Sequence, residues 1–162
     1  MKTLIILRHG KAESYDAKPN DYDRELAGRG RLNAGEMGKF ILKKYGKPGL
    51  VLASSARRTL QTATLAAEET EYPITEIKTD ENLYLASERR IMKIIRSLPD
   101  DCESCLLVGH NPGLTDLINQ LNVRLDNLPT GSAVCFNFNT GKWSEISADN
   151  SQFQWLQLAR EL

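Results

Sequence analysis

Short apolar runs alternate along the chain with segments in which apolar residues recur at helical spacing. Buried strands are predicted at residues 3–7, 50–53 and 106–108. Helices are predicted at residues 34–45, 59–69 and 87–98, and in the segment that follows Pro112. Apolar strands that alternate with amphipathic helices typically form a mostly parallel sheet with both faces covered. The pattern therefore predicts a three-layer α/β fold with helices on both faces of a central sheet.

The remaining segments are less regular. Residues 11–33 are polar and predicted mainly as loop, and residues 74–78 as a short edge strand. Residues 133–138 and 142–146 flank an Asn-Thr-Gly turn, which predicts a C-terminal hairpin, and residues 154–162 are predicted as a short helix. Because no repeat or linker divides the sequence, we expect one domain over residues 1–162.

Composition narrows the possible partners. The 21 basic and 21 acidic residues give a formal net charge of zero, so composition gives no support to a nucleic-acid or membrane-surface partner. The first apolar run is too short for a signal peptide or a membrane span, and a cytoplasmic location is expected. Cys102 and Cys105 have C-x-x-C spacing but precede a strand, so a redox pair or half of a zinc site is the minor alternative to a structural role. No metal or cofactor is expected.

Polar residues follow three of the predicted strands. Arg8, His9 and Gly10 follow the first, residues 54–58 follow the second, and His110 with Asn111 follows the third. If these strands are parallel neighbours, their carboxyl ends meet at one edge of the sheet, where ligands usually bind. Two imidazoles and two guanidiniums there would suit a tetrahedral dianion such as phosphate, and Gly10 would let the backbone approach it.

Three segments carry a resemblance to a known family. LRHGKAE, SSARRTLQTA and VGHNPGL, which begin at residues 7, 54 and 108, resemble the motifs of the histidine phosphatase superfamily, whose fold is phosphoglycerate mutase-like. DYDRELAGRGRLNAG and LPTGSAV also resemble segments of its small SixA-type phosphohistidine phosphatase branch. The resemblance covers nearly the whole chain and implies a metal-independent phosphatase.

Residue roles follow from the matched motifs. The resemblance implies that His9 is the nucleophile, that Arg8 holds phosphoryl oxygens and that His110 is the second histidine of the phosphate pocket. In the second motif Arg58 takes the position of the catalytic arginine, with Arg57 as the alternative. These roles suit phosphoryl transfer, which depends on positioning and charge stabilisation.

Two further sets of residues are assigned to the pocket, one for substrate binding and one for proton donation. Gly10 and Asn111 are predicted to bind substrate. The segment DENLYLASERR holds the candidates for a general acid, of which Glu88 is the first and Glu81 the second. A general acid protonates the leaving alkoxide of a phosphate ester, whereas the labile P–N bond of phosphohistidine needs one less.

Three functions remain open from the sequence. The short connections predict an uncovered site that admits a side chain of another protein, so the first is removal of phosphate from a histidine-phosphorylated protein. The second is hydrolysis of a small phosphate ester or anhydride. The third is a phosphate-binding module without catalysis, which would not require the histidine nucleophile.

Overall fold

A six-stranded sheet forms the centre of the protein in the computed structural model, which describes residues 1–15 and 20–162. The strands are β1 Lys2–Arg8, β2 Leu50–Ser54, β3 Lys78–Asp80, β4 Ser104–Gly109, β5 Ala133–Phe138 and β6 Ser151–Gln157. Their spatial order is β3-β2-β4-β1-β5-β6. The first four strands in this order are parallel, and β5 and β6 extend the sheet by antiparallel pairing.

Helices cover both faces of this sheet. They are α1 Gly28–Lys44, α2 Arg57–Glu69, α3 Glu88–Arg96 and α4 Gly113–Gln120. Side chains of β1 alternate between two cores: Ile5 and Leu7 pack with α1 and α2, while Leu4 and Ile6 pack with α3 and α4. The two-residue period of a strand thus supplies both cores from one segment. The three-layer α/β prediction is confirmed.

The C-terminal region differs from the prediction in detail. An antiparallel C-terminal pair is present as β5 and β6, but the predicted second strand at residues 142–146 is wrong, because Trp143–Glu145 form a single 3-10 turn with Trp143 buried. The predicted helix over residues 154–162 is wrong, because residues up to Gln157 are a strand and only Ala159–Glu161 is helical, in a 3-10 turn. Phe153 packs edge-on against Phe136, and Trp155 packs edge-on against Phe40. These contacts and the pairing with β5 stabilise the strand in place of a helix.

Smaller differences occur at element ends. Helix α1 begins at Gly28, inside the segment predicted as loop, and residues Ile74–Glu76 form a 3-10 turn before the edge strand β3. Residues 16–19 of the predicted loop lie outside the described residues. Among the residues that are described, no helix is both long and apolar enough to cross a bilayer.

The C-x-x-C pair has no common partner in the fold. Cys105 is buried in β4, and burial raises the pKa of its thiol. The Cys102 thiol donates to the carbonyl of Ser104 at 3.1 Å, and both cysteines are free. The described residues contain no cluster of three or more His, Cys, Asp or Glu suited to a metal ion.

Candidate active site

The carboxyl ends of three adjacent parallel strands bring the two histidines together. Strand β1 leads directly into His9, β4 leads into His110, and β2 leads through a short turn to Arg58 at the start of α2. Because β2, β4 and β1 are neighbours, these residues meet at one edge of the sheet. The ring centres of His9 and His110 are 5.4 Å apart.

His9 is fixed by both its backbone and its ring. Its amide donates to the carbonyl of Gly109 at 3.2 Å, and its own carbonyl accepts from the amide of Gly131 at 2.9 Å. The ring Nδ1 lies 2.7 Å from the carbonyl oxygen of Gly10, an acceptor only, so Nδ1 carries the proton and Nε2 keeps its lone pair. Burial, reinforced by the positive charges of Arg58 and Arg8, lowers the pKa of His9 to about 4. The imidazole is therefore neutral and nucleophilic at pH 7.

His110 is the second buried imidazole. Its Nε2 lies 2.8 Å from the hydroxyl of Ser54, and its Nδ1 lies 3.4 Å from Nη2 of Arg58. Burial lowers the pKa of His110 to about 3, with further contributions from His9 and Arg58. The ring of Tyr84 packs edge-on against it with a centroid distance of 5.4 Å. His110 is thus held at a fixed orientation beside His9.

Arg58 lies between the two imidazoles. It is 3% exposed, and its Nε is 3.4 Å from Nε2 of His9. Its shorter hydrogen bonds go to Asp21, from Nη1 to the main-chain oxygen at 2.8 Å and from Nη2 to the carboxylate at 3.1 Å. Arg57, the alternative of the second motif, is exposed at the helix start. The structure therefore places Arg58, and not Arg57, at the histidines.

Asp21 is a site residue that sequence reasoning missed. It starts a 3-10 turn, and its carboxylate accepts from Nε and Nη2 of Arg24 and from the hydroxyl of Tyr84, besides Arg58. Burial alone would raise the pKa of Asp21, but the hydrogen bonds from Tyr84 and Arg24 and the charge of Arg58 lower it to about 2. The available signal was the i, i+3 spacing of Asp21 and Arg24, which is common to many surface turns.

Arg8 offers a donor that the protein leaves unused. Its Nη1 donates to the carbonyl of Leu128 at 3.0 Å, which fixes the side chain beside His9. Its Nε is buried and, in the part of the chain that the structure describes, has no hydrogen-bond partner. Since a buried donor without a partner is unfavourable, this atom is suited to an oxygen of a bound ligand.

Asn111 lines the cavity, but its amide is already engaged. Its Oδ1 accepts from the amide and hydroxyl of Thr115, and its Nδ2 donates to Leu128 and Asn127. These bonds tie the start of α4 to the loop around residue 128. Asn111 therefore lies at the cavity with its amide group engaged within the protein, and its binding of substrate stays a prediction.

Two predicted roles do not match the geometry. A Cβ on Gly10 would lie 2.6 Å from the carbonyl oxygen of Gly30, so this glycine permits close backbone packing, and it is absent from the described cavity lining. Glu88 begins α3 and lines a separate surface groove of about 1200 Å³. Its carboxylate suits the positive end of the helix dipole, and the assignment as general acid is corrected. Glu81 is likewise exposed and outside the cavity lining.

The cavity around the histidines has a volume of about 530 Å³ and a strong excess of positive charge. The described lining residues include four cationic side chains and one carboxylate, that of Asp21. The cationic residues are Arg8, Lys11, Arg24 and Arg58. Guanidiniums supply forked donors for tetrahedral oxyanions. The arrangement can bind a phosphoryl group next to a neutral imidazole.

Comparison with known proteins agrees with this chemistry. Residues 4–84 match the histidine phosphatase superfamily (branch 1). The chain belongs to this superfamily. The matched half of the chain contains Arg8, His9 and Arg58. Membership of the superfamily supports phosphatase activity.

The chain matches its relatives over nearly its whole length at low sequence identity. An uncharacterized protein of Mycobacterium leprae is 24% identical over 158 residues, covering 90% of this chain and 95% of the relative. The protein histidine phosphatase SixA complexed with tungstate superimposes with a TM-score of 0.82 at 18% identity, covering 98% of each chain. Mycobacterial glucosyl-3-phosphoglycerate phosphatase gives a TM-score of 0.68 at 15% identity, covering 97% of this chain and 99% of that chain. The phosphoglycerate mutase-like, SixA-type fold expected from the motifs is confirmed.

Proposed function

We propose that this histidine phosphatase removes the phosphoryl group from phosphohistidine on a protein. The observation that carries the proposal is the pairing of a neutral His9, whose Nε2 keeps its lone pair, with the cationic groups of Arg8 and Arg58. A nucleophile in that setting can accept a phosphoryl group whose oxygens are held by guanidiniums. The similar structure of SixA is a complex with tungstate, a tetrahedral oxyanion, which supports the binding of an oxyanion by this fold.

The reaction consists of two transfers. In the first, the other ring nitrogen of the substrate phosphohistidine already carries a proton. Nε2 of His9 attacks phosphorus, the substrate P–N bond breaks, and the substrate leaves as a neutral imidazole with that proton, while His9 keeps its own proton on Nδ1. In the second, water attacks the phosphorus on His9, the new P–N bond breaks, and inorganic phosphate is released with neutral His9 restored. Arg8, Arg58 and His110 stabilise the phosphoryl oxygens throughout.

The acid–base groups of the cavity favour a P–N substrate over an ester. An alkoxide leaves poorly without a proton donor. Of the described residues that line the cavity, Asp21 is the one with a carboxyl group, and with a pKa of about 2 it holds no proton at pH 7. An imidazole whose other ring nitrogen already carries a proton leaves as a neutral ring and needs no such donor. Small phosphate esters therefore serve as the comparison substrates.

A rapid-quench experiment tests the nucleophile. With a ³²P-phosphohistidine protein, we expect label on the wild-type enzyme that is lost in acid and stable in alkali, and none on His9→Ala. Arg58→Ala should lower kcat/KM at least 100-fold, while the adjacent Arg57→Ala, which changes an exposed arginine, should stay within about threefold. Turnover of sugar phosphates but not of phosphohistidine would reject the proposed substrate. Phosphate binding without turnover of either would indicate a binding module.

A further inference from the structure

Two exposed apolar side chains line the mouth of the cavity that contains His9. Leu85 is 54% exposed and Tyr15 is 67% exposed, and both belong to the lining of that cavity. The chemistry at the bottom of the cavity is carried by charged groups, for which neither side chain is suited. Their position indicates contact with the part of the substrate that lies outside the phosphoryl pocket.

The backbone of Leu85 is held in an unfavourable conformation. Its φ is +50°, in the left-handed region that a leucine rarely adopts. The conformation is fixed by the turns on either side, since the amide of Tyr84 donates to Glu81 and that of Ala86 donates to Leu83. Because the side chain remains half exposed, burial in the core does not compensate for this strain. Residues kept in strained conformations cluster at functional sites.

Tyr15 is held in place although its ring is exposed. The guanidinium of Arg24 lies over the ring, with Cζ 4.1 Å from the ring centre. Arg24 is itself fixed by its two hydrogen bonds to Asp21. The tyrosine is therefore linked through two charged groups to Arg58 and presents a preformed apolar surface at the mouth.

We infer that Leu85 and Tyr15 form an apolar lip that binds the polypeptide on either side of the phosphohistidine. The inference rests on the proposed function, because any group attached to the phosphoryl must cross the mouth to reach His9. A sugar would offer hydroxyl groups that Leu85 cannot hydrogen-bond, whereas an apolar side chain next to the phosphohistidine would be buried against it. The occupant that fits is a polypeptide segment with apolar residues flanking the phosphorylated histidine.

Three substrates separate this inference from the function on which it rests. Two peptides of equal length carry one phosphohistidine each, flanked by leucines in one and by serines in the other, and phosphoramidate is the minimal P–N substrate. We expect the wild-type enzyme to prefer the leucine-flanked peptide about tenfold in kcat/KM. Leu85→Asn should reduce that preference to twofold or less, because asparagine tolerates the left-handed conformation but lacks the apolar surface. Leu85→Gly serves as a second variant.

A matched control is the exposed leucine Leu32 of α1, which is 65% exposed and outside the cavity lining. Leu32→Asn should keep the tenfold preference. The Tm of Leu85→Asn should equal or exceed that of the wild type, since the strain is relieved, whereas a purely structural leucine would give a lower Tm. The inference of an apolar lip is overturned if both Leu85 variants keep the wild-type preference for the leucine-flanked peptide, or if the wild type uses the two peptides equally. Failure with all three substrates overturns the proposed function itself.

Discussion

Asp21 holds Arg58 by two hydrogen bonds, at 2.8 and 3.1 Å, whereas the ring nitrogens of His9 and His110 lie 3.4 Å from the same guanidinium. The orientation of this arginine is therefore determined by the carboxylate and the main chain of residue 21 more than by the histidines. Asp21 acts in the site as a positioning residue.

Replacement of the carboxylate should misplace Arg58. We expect Asp21→Asn to lower kcat/KM for phosphoramidate about 10- to 100-fold, because the amide cannot accept from Arg58, Arg24 and Tyr84 together. A double-mutant cycle measures the coupling: in an Arg58→Ala background the same substitution should have an effect below about threefold. Equal losses in the two backgrounds would show that Asp21 acts independently of Arg58.

The low pKa of His9 should preserve activity at acidic pH. His9 with a pKa of about 4 stays neutral as the pH falls from 7 to 5, so kcat/KM for phosphoramidate should remain flat over that range and decline below about pH 4.5. An imidazole with its ordinary pKa would already lose activity near pH 6.5. The pH–rate profile distinguishes the two, with unfolding monitored in parallel.

The same histidines should make folding stability depend on pH. Their folded pKa values, about 4 for His9 and about 3 for His110, lie below the unfolded value of 6.5, so the unfolded chain binds protons first. The contribution of the two neutral histidines to the free energy of unfolding is fully present above pH 6.5. It is lost as the pH falls toward their folded pKa values, by about 2 to 3 kcal/mol per histidine at pH 4.5. Urea unfolding at pH 7.5 and 4.5 measures this. His110→Gln should reduce the difference, and an unchanged difference would contradict the assignment.

The contact between Gly10 and Gly30 should be intolerant of a side chain. A Cβ on Gly10 would lie 2.6 Å from a backbone oxygen that cannot move alone, so Gly10→Ala should lose about 1 to 3 kcal/mol of unfolding free energy. The matched control is Gly35→Ala within α1, where nothing lies within 4 Å of the added methyl, and a gain of up to about 1 kcal/mol is expected. Similar stabilities for the two variants would refute the close contact.

Glu88→Gln should leave turnover within about twofold of the wild type for both P–N and ester substrates, because its carboxylate lines the groove beside α3. Loss of the charge at the helix start should lower stability by less than about 1 kcal/mol. Steady-state kinetics with phosphoramidate and a sugar phosphate test this, and a selective loss with the ester would restore Glu88 as a proton donor.

Periodicity predicted the parallel part of the sheet because β1, β2 and β4 are buried on both faces and read as continuous apolar runs. It failed at residues 154–157, which belong to the partly exposed edge strand β6, because no continuous apolar run marks that strand in the sequence. The positions of His9 and His110 were predictable because each directly follows a recognisable strand, and Arg58 was distinguished from Arg57 by the resemblance of the second motif. Asp21 was not predictable, since its role depends on contacts with Arg58 and Tyr84, which are distant from it in the chain.

The main chain of His9 bridges the end of β4 and the loop at Gly131 and lies beside the most central strand pair. Fraying of the exposed turns around the mouth can thus alter which substrates enter, but it cannot displace the reacting nitrogen. During thermal inactivation, His9 should therefore keep its place until the sheet itself unfolds, whereas hydrolysis of even the smallest substrate also requires the turn at Asp21 that orients Arg58.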